Sequence, residues 1–173
     1  MKKTAVRAKG FTLIELLIVI ALLGALAIGL LATIDPFEQL KKGRDTSTRN
    51  TVSEFYNANL RYYATKSEFP WAKETSATAG RTSSTVADMS SQVAKLVAAG
   101  ELKDKFFELA GAATLGKIYV TATDPTHFSV CFEPESKSFQ NDPNTMYSQT
   151  GEPLTGTCKS QTSTGISCSF CIQ

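Results

Sequence analysis

The sequence predicts an α+β protein in which one long N-terminal helix, apolar in its first half and amphipathic in its second, packs on a small antiparallel sheet. Three observations predict this. The stretch from Phe11 to Ile34, FTLIELLIVIALLGALAIGLLATI, is apolar apart from Thr12, Glu15 and Thr33. Beyond it, Phe37, Leu40, Val52, Phe55, Tyr56, Leu60 and Tyr63 recur at helical spacing, with Lys41, Lys42, Arg44, Asp45, Arg49 and Glu54 mostly off that stripe. Further on, Ile118, Val120 and Ala122 alternate, as do Phe128, Val130 and Phe132, and Asp124-Pro125-Thr126 between them reads as a hairpin turn. At 173 residues the chain has room for one compact domain and an appendage. The division expected is a basic leader at 1–10, an apolar helix at 11–34, its amphipathic continuation at 35–64, and a head at 65–173 that ends in a cysteine-containing tail.

The leader comes first. Lys2, Lys3, Arg7 and Lys9 supply four of the 18 basic residues ahead of any acid, leaving 14 against 16 acidic in the remainder. Without the leader the chain is faintly acidic and lacks the concentration of Lys and Arg that nucleic-acid phosphates demand. His127 is the single histidine of the sequence, which excludes multi-His metal centres by counting and nearly excludes a His-based triad.

The apolar segment has 24 residues and no charge after Glu15. As a helix it is about 36 Å long, enough to cross a bilayer with some tilt. The leader's positive charge places residues 1–10 in the cytoplasm and everything after Ile34 outside. An ordinary secretory signal would be cut near Ala25-Leu26-Ala27 and turn polar there, whereas this run continues through Ile28, Leu30, Leu31 and Ile34. Glu15 does not suit a plain anchor either, because a carboxylate in a span is costly and marks function by default.

The residues Lys9-Gly10-Phe11-Thr12-Leu13-Ile14-Glu15-Leu16-Leu17-Ile18-Val19-Ile20 closely resemble the class III signal of type IV prepilins and type II secretion pseudopilins. The resemblance is strong over Lys9–Ile34 and weaker along the helix to Trp71. It implies cleavage between Gly10 and Phe11 by a membrane-embedded prepilin peptidase, N-methylation of Phe11, and retention of the apolar helix as transmembrane segment and filament core. It also implies that Glu15 of one subunit neutralises the Phe11 amine of its axially staggered neighbour during assembly. Phe11 and Glu15 are four apart on one helix face, so an intramolecular pair is the simpler reading of the residues alone. The implied architecture is pilin-like. The implied partners are copies of the chain, other pilin-like subunits, and the assembly platform with its ATPase. The family carries a helix-kinking proline at the place held here by Ala32; this chain has Pro36 instead.

After the span, Asp35-Pro36 marks a break, and one interrupted helix is expected from about Thr12 to Ala64 with Pro36 and Gly43 as weak points. Phe69-Pro70-Trp71 ends it. Ala72–Thr85 reads as a polar loop. Val93, Leu96 and Val97, closed by Gly100, predict a short helix, with Leu102, Phe106, Phe107 and Leu109 continuing its apolar face. A further short strand is expected near Ser136–Gln140. Trp71 with Tyr62 and Tyr63 reads as core under the helix in preference to a binding platform, and His127 as a surface or packing residue.

Cys131, Cys158, Cys168 and Cys171 all follow the span, where an oxidising compartment favours disulfides. Two bridges pinning the Ser/Gly-rich tail to the strand of Cys131 are expected, with three connectivities open. Pilin heads commonly carry a C-terminal bridge of this kind. Cys168-Ser169-Phe170-Cys171 has the spacing of a redox motif but no following helix to lower a thiol pKa. A Cys-only zinc site would need the irregularly spaced Cys131 and Cys158 as well. Asn141-Asp142-Pro143-Asn144 reads as a turn; pseudopilin heads often hold calcium in late loops, but one carboxylate makes a thin shell. No cofactor and no metal are therefore expected.

These observations point to a structural protein and not an enzyme: a single-pass protein of the bacterial cytoplasmic membrane with its C-terminus outside, later part of an extracytoplasmic filament. The faintly acidic mature charge favours a pseudopilin or simple type IV pilin over a minor competence pilin. The alternative is a monomeric, membrane-anchored binding head that forms no filament.

Overall fold

A computed structural model describes residues 10–33, 35–72, 82–122, 126–155 and 167–173. Residues up to Phe37 and residues from Glu38 onward form separate compact units. The first is dominated by α1, Leu13–Thr33. Leading into the second is α2, Pro36–Lys66. The expected interrupted helix is thus two helices, and local chemistry explains the break. Pro36 occupies the first helical position, where its missing N–H costs nothing, and the Asp35 carboxylate accepts the Phe37 N–H at 3.1 Å as an N-cap. Gly43, the other expected weak point, lies inside α2 without interrupting it.

The second unit continues with β1 (Thr82–Thr85), a 3₁₀ turn at Val86–Asp88, and α3 (Ser90–Ala98). The short helices α4 (Phe106–Ala110) and α5 (Ala112–Leu115) follow, then β2 (Ile118–Ala122) and β3 (Phe128–Phe132). The single-turn helix α6 (Lys137–Gln140) and β4 (Phe170–Ile172) complete it. The sheet order is β1-β2-β3-β4, antiparallel throughout, with Val120 opposite Val130 and Cys131 opposite Cys171. The β2–β3 pairing is the one the hairpin reading requires; Asp124 and Pro125 of its turn lie outside the described residues.

One core joins the inner face of α2 to the sheet and α3. Val52, Phe55 and Ala58 are fully buried with Leu96, Ile118 and Val130, and Phe132 is nearly so. Each such large side chain contributes roughly 1.5–3 kcal/mol by leaving water. Tyr56 stacks on Phe128 with centroids 4.7 Å apart, and Phe69 stacks on Trp71 at 5.0 Å. Trp71 and Tyr62 are both buried, so the core reading of these aromatics holds. Helix α3 ends as its sequence predicts. Gly100 adopts φ +76°, the Glu101 N–H donates to Leu96 O at 2.9 Å and the Gly100 N–H to Val97 O at 2.9 Å, which together make a Schellman motif.

Several expectations need correcting. Thr82–Thr85, read as loop, is the edge strand β1: Ser and Thr there pair with β2 through backbone bonds that no hydrophobic alternation announces. Ser136–Gln140, read as a strand, is a helical turn whose N-cap is Ser136, its Oγ accepting the Phe139 N–H at 3.4 Å. On α2 the buried positions are Asp45, Val52, Phe55, Ala58, Asn59 and Tyr62. Phe37, Leu40 and Leu60, assigned to the stripe, are exposed, as is Leu109. Val52 and Phe55 of the stripe are in the core and Tyr56 and Tyr63 pack against it, while the buried face also takes two polar residues, Asp45 and Asn59, that periodicity does not mark.

Candidate functional site

The N-terminal segment carries the residues that the sequence singled out. Gly10 and Phe11 precede the first helical residue and are exposed, and space around Gly10 is open. The peptide bond between them is therefore accessible. Thr12 then starts α1 with a reciprocal capping arrangement: the Thr12 N–H donates to Glu15 Oε2 at 2.9 Å, the Thr12 hydroxyl donates to the same oxygen at 2.7 Å, and the Glu15 N–H donates to Thr12 Oγ1 at 3.3 Å. A carboxylate in the first turn also meets the positive end of the helix dipole. The partner of Glu15 in the intact chain is thus its own helix start. Thr12 is the participant that the sequence reading did not single out, although Thr-x-x-Glu ahead of an apolar run is the signature of such a box.

Helix α1 is apolar on every side. No residue of Leu13–Leu30 is buried, and Leu13, Ile14, Leu26, Ile28 and Leu30 are each at least 65% exposed. A helix hydrophobic all round is stable only where lipid or other helices cover it. By length and composition it can cross a membrane.

The second constellation is the cysteines. Cys131 and Cys171 form a disulfide between directly opposed residues of β3 and β4. This selects among the open connectivities. Cys168 is also disulfide-bonded, no described cysteine is free, and Cys158 lies outside the described residues. With Cys171 joined to Cys131, the Cys168–Cys171 pair is not a CxxC disulfide, and none of the described sulfurs is a thiolate ready for a metal. The tail is further seated by Tyr147, which exchanges backbone hydrogen bonds with Ser169 at 3.2 and 2.7 Å. At Gly151, φ is +79°, and a Cβ there would lie 2.3 Å from Ser129 Oγ, so only glycine fits.

Other singled-out residues are spent on local structure. Asp142 Oδ1 accepts the Asn144 N–H at 2.9 Å, closing the Asn141–Asn144 turn. Among the described residues no three His, Cys, Asp or Glu side chains cluster as metal ligands would. His127 is exposed at the start of β3, with Nδ1 2.9 Å from the Thr126 hydroxyl.

Sequence reasoning missed a polar cluster on the first half of α2. The buried Asp45 carboxylate accepts the Glu135 N–H at 3.0 Å, the Ser136 N–H at 2.7 Å and the Ser136 hydroxyl at 2.5 Å. Glu38 accepts the Lys137 N–H at 3.0 Å. Glu135 receives Lys117 at 2.6 Å and Arg44 at 3.2 Å. The Lys137 amide holds the Glu38 carboxyl below its ordinary pKa, and the Lys117 ammonium does the same for Glu135.

Comparison with known proteins bears on the N-terminus. Residues 6–31 match the family model described as the prokaryotic N-terminal methylation motif. No curated protein and no solved structure matches the chain.

Proposed function

We propose, from a chain whose N-terminus is that of a type IV pilin-like prepilin with a class III signal sequence, that the protein is a structural subunit of a type IV pilus-like filament or type II secretion pseudopilus. Prepilin peptidase cuts after Gly10 and the new Phe11 amine is methylated. The processed subunit waits in the cytoplasmic membrane as a single-pass protein with its C-terminus outside, then joins copies of itself and other pilin-like subunits through α1, driven by the assembly platform and its ATPase. The observation that carries this reading is a methylation motif laid over a helix with no apolar side buried against its own chain. Such a helix is equally suited to lipid before assembly and to neighbouring helices afterwards.

Glu15 has two successive partners in this scheme. Before cleavage it caps its own helix through Thr12. After cleavage a cationic amine appears at Phe11, and in a water-poor setting a charge that gains a partner of opposite sign is strongly favoured. That amine, on a neighbouring subunit, draws the carboxylate into the assembly contact.

The test is Glu15→Ala in cells that carry a filament machinery. Expected is normal cleavage and a folded, disulfide-bonded head, with no filaments by electron microscopy. Filaments at wild-type number and length would refute the assembly role of Glu15, and absence of filaments from the wild-type chain in the same cells would leave a monomeric anchored head as the function.

A further inference from the structure

The first half of α2 is held differently from the second. Between Glu38 and Thr51 no apolar side chain is buried, and the one buried residue is Asp45. This stretch is also a poor helix on its own account. Gly43 lowers helix propensity, and the hydroxyls of Thr46, Thr48 and Thr51 donate back to the carbonyls of Lys42, Arg44 and Ser47 at 2.8, 3.0 and 3.1 Å, a pattern that weakens and bends helices. Under it lies a cleft of about 260 Å³ whose lining includes Asp45, Thr48, Lys117 and Phe132. What ties it down is the carboxylate cluster: Asp45 on Glu135 N, Ser136 N and Ser136 Oγ, Glu38 on Lys137 N, and Glu135 bridging Arg44 to Lys117. Arg49 adds its guanidinium, 5.0 Å above the Phe170 ring. From Val52 onward the ties are the buried apolar core.

We propose that residues 38–51 form an arm clasped to the 133–137 segment through Asp45, and that this arm releases as a unit while the core from Val52 onward stays folded. A helix that is weak by composition, seated over a cleft and fixed by carboxylates, opens when those carboxylates or their donors are removed. The charged groups that face the clasp are Glu38, Lys41 and Arg44 from α2, Lys117 from the start of β2, and Glu133, Glu135 and Lys137 from the opposing segment. Removing the Asp45 carboxylate takes away the buried acceptor of the clasp and leaves the Glu135 and Ser136 amides without it.

The test is hydrogen exchange read by mass spectrometry on the full chain in detergent micelles, comparing wild type, Asp45→Asn and Ser136→Ala. In both variants the amides of 42–51 and 135–140 are expected to exchange at least tenfold faster, with 55–62, β2 and β3 within twofold of wild type. Because Asp45→Asn could prevent folding, the wild-type chain is also read on its own at pH 7. There the amides of 42–51 should exchange at least tenfold faster than those of 55–62. Unchanged exchange in the arm, or equal loosening of arm and core in either experiment, would overturn the proposal.

Discussion

Removing the Cys131–Cys171 bridge by replacing both residues with Ala gives the sharpest stability expectation. The bridge closes a loop with a sequence separation of 40. On the chain-entropy account, a crosslink of that span lowers the entropy of the unfolded chain enough to stabilise the fold by about 4 kcal/mol at 25 °C. The native strand should remain in place, because Phe170 is buried and packs 5.6 Å from Phe132, an apolar anchor of roughly 2–3 kcal/mol independent of sulfur. The effect therefore lies in the unfolded state. In urea titration of the detergent-solubilised chain, with a slope of about 2 kcal/mol/M, the midpoint should fall by roughly 2 M while the emission of the buried Trp71 in the native state stays the same. A loss under about 1 kcal/mol would contradict this origin of stability, since the segment between the cysteines would then be restricted without the bridge.

Three more expectations can be checked in the same assay. Gly151→Ala places a methyl 2.3 Å from Ser129 Oγ at a backbone φ of +79° and should cost about 1–3 kcal/mol in urea midpoint; a neutral result would show that the 148–151 turn can move away from β3 freely. Phe132→Ala empties a fully packed site on the sheet and should cost about 3–5 kcal/mol. With pH, Glu38 and Glu135 have folded pKa values below the ordinary 4.5, so their contribution is complete above that value and is lost as pH falls through it toward their folded pKa values. Stability should hold from pH 7 to about 5 and then decline, and a decline beginning near neutrality would point to other groups.

What the sequence made legible follows from how each feature is encoded. The apolar helix, the Gly10–Phe11 junction and Glu15 are contiguous, so residue order alone displays them. Strands β2 and β3 were visible because both alternate and face one core, and α3 because Val93, Leu96 and the Gly100 stop signal are local. Strand β1 was invisible: its Thr and Ser side chains carry no burial signal, and its place is set by backbone pairing to Tyr119–Ala122. The burial of Asp45 on α2 is hidden for a related reason, since it rests on bonds to Glu135 and Ser136, about 90 residues away in sequence, and no window on α2 contains them. The same long-range capture turned Ser136–Gln140 from a plausible strand into a capped helical turn. Disulfide pairing also depends on spatial register, here Cys131 opposite Cys171, and spacing among four cysteines does not encode it.

The central claim is that the apolar helix is kept and the processed chain begins at Phe11. An intact mass of the protein extracted from membranes of cells expressing a prepilin peptidase tests it in one step. Expected is a chain beginning at Phe11 and carrying one additional methyl group, mapped by fragmentation to the Phe11 amine. A chain still beginning at Met1 in the presence of active peptidase, or one cut near Ile28 with the apolar helix discarded, would contradict it.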